Sequence, residues 1–75
     1  MRPFFVRGIR MQVSVNGQTE EIEAQSLFTY LDSKSLVGCR IAVELNGEIV
    51  PKTQFSSVLL VDGDVLEIVH AIGGG

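Results

Sequence analysis

The chain has 75 residues, 45% of them hydrophobic and 20% charged, with a formal net charge of −3. That composition excludes a disordered segment and leaves room for one globular domain, near the lower limit at which a core sustains itself without staples. A single cysteine excludes an internal disulfide and fits a cytoplasmic location, and no apolar run approaches the roughly 20 residues that cross a bilayer.

The first ten residues, MRPFFVRGIR, hold three of the six basic residues, Arg2, Arg7 and Arg10, and no acid. Their apolar stretch is too short for a signal peptide. Met11 looks like a natural start, so residues 1–10 are read as an N-terminal extension: a leader, a tag or an upstream start. From Met11 onward Lys34, Arg40 and Lys52 stand against nine acids, a balance of −6. Such a surface repels phosphate backbones and argues against nucleic acid as a partner.

Met11 to Val15 alternates apolar and polar residues, the pattern of a half-buried strand. Asn16-Gly17 follows, a strong hairpin signal because both central positions of a type I′ turn need positive φ. Thr19 to Glu23 returns as a polar strand with Ile22 facing in, and Glu20, Glu21 and Glu23 are expected on a solvated face. Ser26 is a helix N-cap. Leu27, Tyr30 and Leu31 then stand at i, i+3 and i+4, with Phe28 widening the same apolar face. The helix is predicted to end near Ser35 and to exit through Leu36-Val37-Gly38.

Arg40 to Leu45 reads as a strand with Ile41, Val43 and Leu45 on one face and Ala42 and Glu44 on the other. A second Asn-Gly, Asn46-Gly47, turns it into Glu48-Ile49-Val50, which Pro51 halts because it cannot donate to a ladder. Phe55, Val58 and Leu60 are expected to tuck a loop or a short 3₁₀ turn beneath the sheet. Asp62-Gly63-Asp64 makes a turn into the last strand, Val65 to His70. The predicted order is ββαβββ, an α+β fold in which one helix covers one face of a mixed sheet.

Conventional chemistry is scarce. Cys39 has no second cysteine and no histidine near it in sequence, and is expected to be a small buried hydrophobe. His70 is the only histidine and reads as a solvent-facing strand end without metal-ligand spacing. Asp62 and Asp64 flank a glycine, as turn carboxylates commonly do. No catalytic or metal site is expected. What remains is the ending, HAIGGG, in which Gly73, Gly74 and Gly75 have nothing to pack and the most backbone entropy to lose.

The runs IAVELNGEIVPKTQF and VDGDVLEIVHAIGGG, with their strand–NG–strand–Pro–basic order and terminal glycines, resemble the ThiS family of thiamine-biosynthesis sulfur carriers, β-grasp relatives of ubiquitin. The likeness covers residues 11–75. It departs at Lys34, where many relatives keep an apolar residue, and in the extension 1–10.

The resemblance implies a β-grasp domain over residues 11–72, with about five strands, and a flexible glycine tail over residues 73–75. It implies a carrier, not an enzyme. An E1-like adenylyltransferase would activate the Gly75 carboxylate with ATP, and a persulfide would convert it to a thiocarboxylate. A thiazole synthase would then accept the sulfur. No cofactor is expected on the carrier, no membrane partner is expected, and the free protein is expected to be a monomer.

A docking face is expected on the open side of the sheet at Ala42, Val65 and Val69, rimmed by Glu44 and Glu67. Three other readings stand beside this one. They are a molybdopterin-type sulfur carrier with the same tail chemistry, a ubiquitin-like modifier joined through Gly75 to protein lysines, and an interaction domain with no tail chemistry.

Overall fold

The computed structural model describes residues 8–71. Gly73, Gly74 and Gly75, on which the tail chemistry was expected, lie outside them. The elements are β1 (Arg10–Val15), β2 (Gln18–Glu23), α1 (Leu27–Ser33), β3 (Ile41–Leu45), β4 (Glu48–Ile49), a 3₁₀ helix (Lys52–Ser57) and β5 (Val65–His70). Five strands form one sheet in the order β2-β1-β5-β3-β4, with β1 parallel to β5 and the other neighbours antiparallel. This is the expected α+β arrangement. The first strand starts one residue earlier than predicted, with Arg10 opposite Glu23, and the Ala24 amide donates to the Ile9 carbonyl (2.9 Å).

Alternation along the strands decides which face is covered. Met11 and Val13 of β1, Ile41 and Val43 of β3, and Leu66 and Ile68 of β5 turn to one side and are buried beneath α1. The helix contributes Leu27, Tyr30 and Leu31, the predicted i, i+3, i+4 stripe. Phe28 does not join them. It is 40% exposed, because at i+1 from Leu27 it points about 100° around the helix from the buried stripe.

The helix has defined ends. Ser26 Oγ accepts from the Thr29 amide (3.1 Å), satisfying a first-turn donor. At the other end Ser35 adopts φ +60, its amide donates to Asp32 O, and the Leu36 amide reaches back to Leu31 O. This is a Schellman closure, built on a serine where glycine is usual.

The segment that sequence patterning described least is held under the helix. Phe55 of the 3₁₀ helix and Leu60 are buried and Val58 is half-buried. The Leu27 amide donates to Val58 O and the Leu60 amide to Gln25 O, which ties this stretch to the start of α1.

The turn before β5 carries more than a change of direction. Asp64 is only 6% exposed, and its carboxylate accepts from the Val61 amide (2.9 Å) and Asn46 Nδ2 (3.0 Å). Asp62 Oδ1 accepts from the Gln12 amide (2.7 Å), which docks the turn on β1.

Candidate functional site: the open sheet face and the end of β5

β5 is the middle strand of five, so whatever follows Ala71 leaves from the centre of the sheet. Its last ladder contacts are with the start of β3. Ile41 lies opposite His70, and the Ala71 amide donates to Arg40 O (2.8 Å). His70 is exposed at this strand end, as expected.

The face away from α1 has no cover among the described residues. Ala42 and Val69 are cross-strand partners there, and Ser14 lies opposite Val65. Val65 is 43% and Val69 60% exposed, and Ala42 is exposed as well. The three predicted docking residues therefore share one face.

Sequence reading missed a fourth apolar member, Ile49, which is 63% exposed. Its signal was present: a two-residue Asn-Gly loop fixes Leu45 opposite Glu48, and hence Glu44 opposite Ile49. Glu44 also lies opposite Glu67, so two like charges face each other directly. Directly opposed like charges destabilise a sheet. A surface that keeps them beside four aliphatic side chains suits an incoming cation better than it suits the free fold.

The other acids divide by strand parity. Glu21 and Glu23 are exposed, and Glu21 makes a solvent-exposed pair with Arg10 (3.6 Å). Such a pair contributes little. Glu20 departs from the expected solvated face. It turns to the helix side, is half-buried, and accepts a hydrogen bond from Tyr30 Oη (2.9 Å).

Lys34 lies 3.4 Å from the same carboxylate and 5.6 Å from the Tyr30 ring centroid. Burial pushes the Tyr30 phenol above its ordinary pKa, and the hydrogen bond to Glu20 and the charge of Glu20 push it the same way. Lys34 thus covers the ring with its charge, a cation–π role that explains a lysine in place of an apolar residue. The cluster fastens β2 to α1.

Cys39 is half-buried, not buried as expected, because it sits in the exit loop and not in β3. Its thiol donates a weak hydrogen bond to Ser35 O (3.6 Å). Among the described residues, no three His, Cys, Asp or Glu side chains gather as metal ligands, and no helix is long and apolar enough to cross a membrane.

A hairpin, a helix across the sheet, and a central final strand parallel to the first define a ubiquitin-like β-grasp domain. The ThiS family model matches residues 10–75, and the chain belongs to that family of sulfur carriers. The crystal structure of the thiamine biosynthesis protein ThiS from Geobacter metallireducens is similar to it, with a TM-score of 0.75 and 29% identity, covering 87% of this chain and 100% of that one. The sulfur carrier protein ThiS of Bacillus subtilis is 51% identical over 35 residues, 47% of this chain and 53% of that protein. A thiazole synthase of Paramagnetospirillum magneticum is 42% identical over 66 residues, which is 87% of this chain but only 20% of the synthase. The chain thus spans about a fifth of that relative.

Proposed function

We propose that the chain is a protein co-substrate of thiamine biosynthesis that carries sulfur on the carboxyl group of Gly75 and delivers it for thiazole formation. The observation that carries this reading is the extent of the family match, which runs from β1 through the terminal glycines.

The chemistry follows from the weakness of a carboxylate as an electrophile. Its oxygen attacks the α-phosphorus of ATP on an E1-like adenylyltransferase, releasing pyrophosphate and giving an acyl-adenylate. The terminal sulfur of a persulfide displaces AMP, and a second thiol cleaves the resulting S–S bond. Sulfur stays on Gly75 as a thiocarboxylate, and the two donor sulfurs leave as a disulfide. ATP is consumed by the activating enzyme, while the carrier binds no cofactor, acts as a monomer and works in the cytoplasm. Gly73 and Gly74 suit a narrow enzyme channel because, without Cβ, they take the φ/ψ the channel requires.

Recognition falls to the face bearing Ala42, Val65 and Val69, extended by Ile49. Four aliphatic side chains rimmed by Glu44 and Glu67 fit a partner surface with an apolar centre and basic rim groups. A thiazole synthase is the acceptor this reading favours. Its support is the relative in which a carrier-like segment belongs to a protein named for that activity; tethering raises the effective concentration of one module at the other.

Intact-mass analysis after incubation with ATP, the activating enzyme and a persulfide source tests the reading. The expected result is one species heavier by the exchange of one carboxylate oxygen for sulfur, localised to Gly75. No shift with a demonstrably active enzyme would overturn it, and a ladder of protein conjugates would point to a modifier instead.

A further inference from the structure

A second surface lies on the covered side of the sheet. The first turn of α1, the exit loop and the 3₁₀ helix leave an open hollow of about 210 Å³, lined by Phe28, Leu36, Cys39, Ile41 and Phe55, with Lys52 at one wall. An apolar cavity of roughly 150 Å³ accommodates benzene, so this one has room for one large apolar side chain. Its apolar surface continues outward, because Phe28 is 40% and Val37 43% exposed at its edge.

The charge at its mouth is the reverse of the charge on the open sheet face. No acid lines the hollow. A lysine at an apolar wall lays its stem on that wall and keeps its ammonium in water. Among the described residues Lys52 makes no ion pair, whereas Lys34 is engaged by Glu20 and Arg10 by Glu21. His70 adds a second polar group. It lies opposite Ile41 in the β3–β5 ladder, and strand parity turns it to the side of Leu66 and Ile68. Directly opposed side chains stand about 5 Å apart, so the imidazole borders the Ile41 wall, where a ring N–H can donate to an anion. From Met11 onward three bases stand against nine acids. Against that background, an unpaired ammonium beside an imidazole selects an anionic group.

We propose that this hollow is a second docking site, which takes a segment of a partner protein presenting one phenylalanine- or leucine-sized side chain between carboxylates. The apolar side chain fills the hollow against Phe28 and Phe55, and a flanking carboxylate meets Lys52, with His70 as a further donor. A free small molecule is the poorer occupant. The hollow is below the roughly 300–1,000 Å³ of small-molecule pockets, and a ligand held inside it leaves the exposed parts of Phe28 and Val37 uncovered. The open face carries Glu44 and Glu67 and lies on the other side of the sheet, so the two surfaces select partner groups of opposite charge. One protein can hold the domain at the hollow while another engages the open face. The site does not rest on sulfur transfer at Gly75.

The test is a titration of the isotope-labelled full chain with the blocked tripeptide acetyl-Glu-Phe-Glu-amide, followed by amide chemical shifts. Saturable shifts are expected at Cys39, Ile41 and Phe55, with a Kd of about 1–10 mM, the scale of one anchoring side chain. Shifts at Ile49 and Val65 on the open face should stay small. The neutral acetyl-Gln-Phe-Gln-amide should bind about threefold more weakly, as for loss of an exposed ion pair. Lys52→Glu should weaken the acidic peptide by about five- to tenfold, since it turns attraction into repulsion, and Lys52→Arg should retain it. Equal affinity for the charged and neutral peptides, shifts centred on the open face, or no saturation by about 50 mM peptide would overturn the proposal. Phenylacetate binding as tightly as the peptide would overturn it in favour of a small aromatic acid. So would binding that emerges only in a Phe4→Ser/Phe5→Ser variant, which assigns the hollow to the extension, or hollow shifts that track protein concentration without peptide, which assign it to a second copy.

Discussion

The two Asn-Gly turns are alike in sequence and in backbone, with φ near +51 at Asn16 and +53 at Asn46, yet their side chains hold different parts of the same strand. β1 pairs with β5 through only two rungs, ending at Val15 opposite Leu66. Asn16 continues that ladder with its side-chain amide: Oδ1 accepts from the Ile68 amide (2.7 Å) and Nδ2 donates to Ile68 O (3.2 Å). Asn46 does the same on the other flank and in the other direction. Its Oδ1 accepts from the Val65 amide (2.9 Å), and its Nδ2 donates to Asp64 (3.0 Å).

Both asparagine backbone amides donate to β5, Asn16 to Leu66 O (2.9 Å) and Asn46 to Val65 O (2.8 Å), and each side-chain oxygen adds an acceptor for a further β5 amide. Together they fix the strand that leads into the tail from both sides. A turn motif that sequence reading treats as local is here a long-range tie, and aspartate could not replace it because a carboxylate has no donor.

The largest effect is expected at Asp64, whose carboxylate accepts from Asn46 and the Val61 amide and does not reach Asn16. Asp64→Ala removes the acceptor of two part-buried donors, Asn46 Nδ2 and the Val61 amide. It should cost about 3 kcal/mol, since unmet buried donors carry most of their desolvation penalty. For a domain this small the Tm should fall by more than about 10 °C. Calorimetry showing a loss below about 1 kcal/mol would mean that the cost of burying the carboxylate cancels its bonds.

Substituting glycine for each asparagine separates backbone from side chain, because glycine tolerates the positive φ. Asn16→Gly should cost about 1–2 kcal/mol by loss of two hydrogen bonds and should speed amide exchange at Ile68 while sparing Val65. Asn46→Gly should cost somewhat more, because it also deprives buried Asp64 of a donor, and should reverse the exchange pattern. Equal costs with the same amides affected in both variants would show that the turns act through the hairpins alone.

Much of this frame was legible in advance. Alternation placed Leu66 and Ile68 inward and Val65 and Val69 outward, and the Asn-Gly pairs fixed two hairpins, because period-2 patterning and positive φ are local properties. What was not legible depended on partners far along the chain. The burial of Asp64 needs Asn46, the inward turn of Glu20 needs Tyr30, and the rungs from Asn16 need Ile68, 52 residues away. Phe28 misled because an apolar residue beside a helical stripe was counted into it, whereas at i+1 from Leu27 it points about 100° away from the buried side. The candidate site divides the same way: Ala42, Val65 and Val69 follow from parity, and Ile49 becomes visible once the hairpin register is applied.

If the two asparagines fix β5 in place, its outward side chains should be dispensable for the fold and important for docking. Val69→Asp tests this at a position 60% exposed and directly opposite Ala42. Stability should fall by no more than about 1 kcal/mol, the span of strand propensities. Affinity for the activating enzyme should fall about tenfold, the scale of one interface residue made to desolvate a charge. Binding that is unaltered by isothermal titration would remove the open face from the docking account.

The smallest effect on the fold, and the largest on chemistry, is expected at the tail itself. Every tie to β5 described above ends at or before Ala71: the asparagine rungs at Val65 and Ile68, and the ladder hydrogen bond to Arg40 O. Gly74 and Gly75 have no side chain to bury, so deleting both should change the unfolding free energy by less than about 0.5 kcal/mol. The same deletion removes the carboxylate that adenylation requires, and pyrophosphate release with the activating enzyme should drop to background. The two readouts must separate. If the truncated protein melts at markedly lower temperature, the glycines contribute to the fold and the separation of stability from tail chemistry is wrong. If it keeps its stability and is still adenylated at Gly73, the enzyme reads the sheet face and any terminal glycine, not the length of the tail.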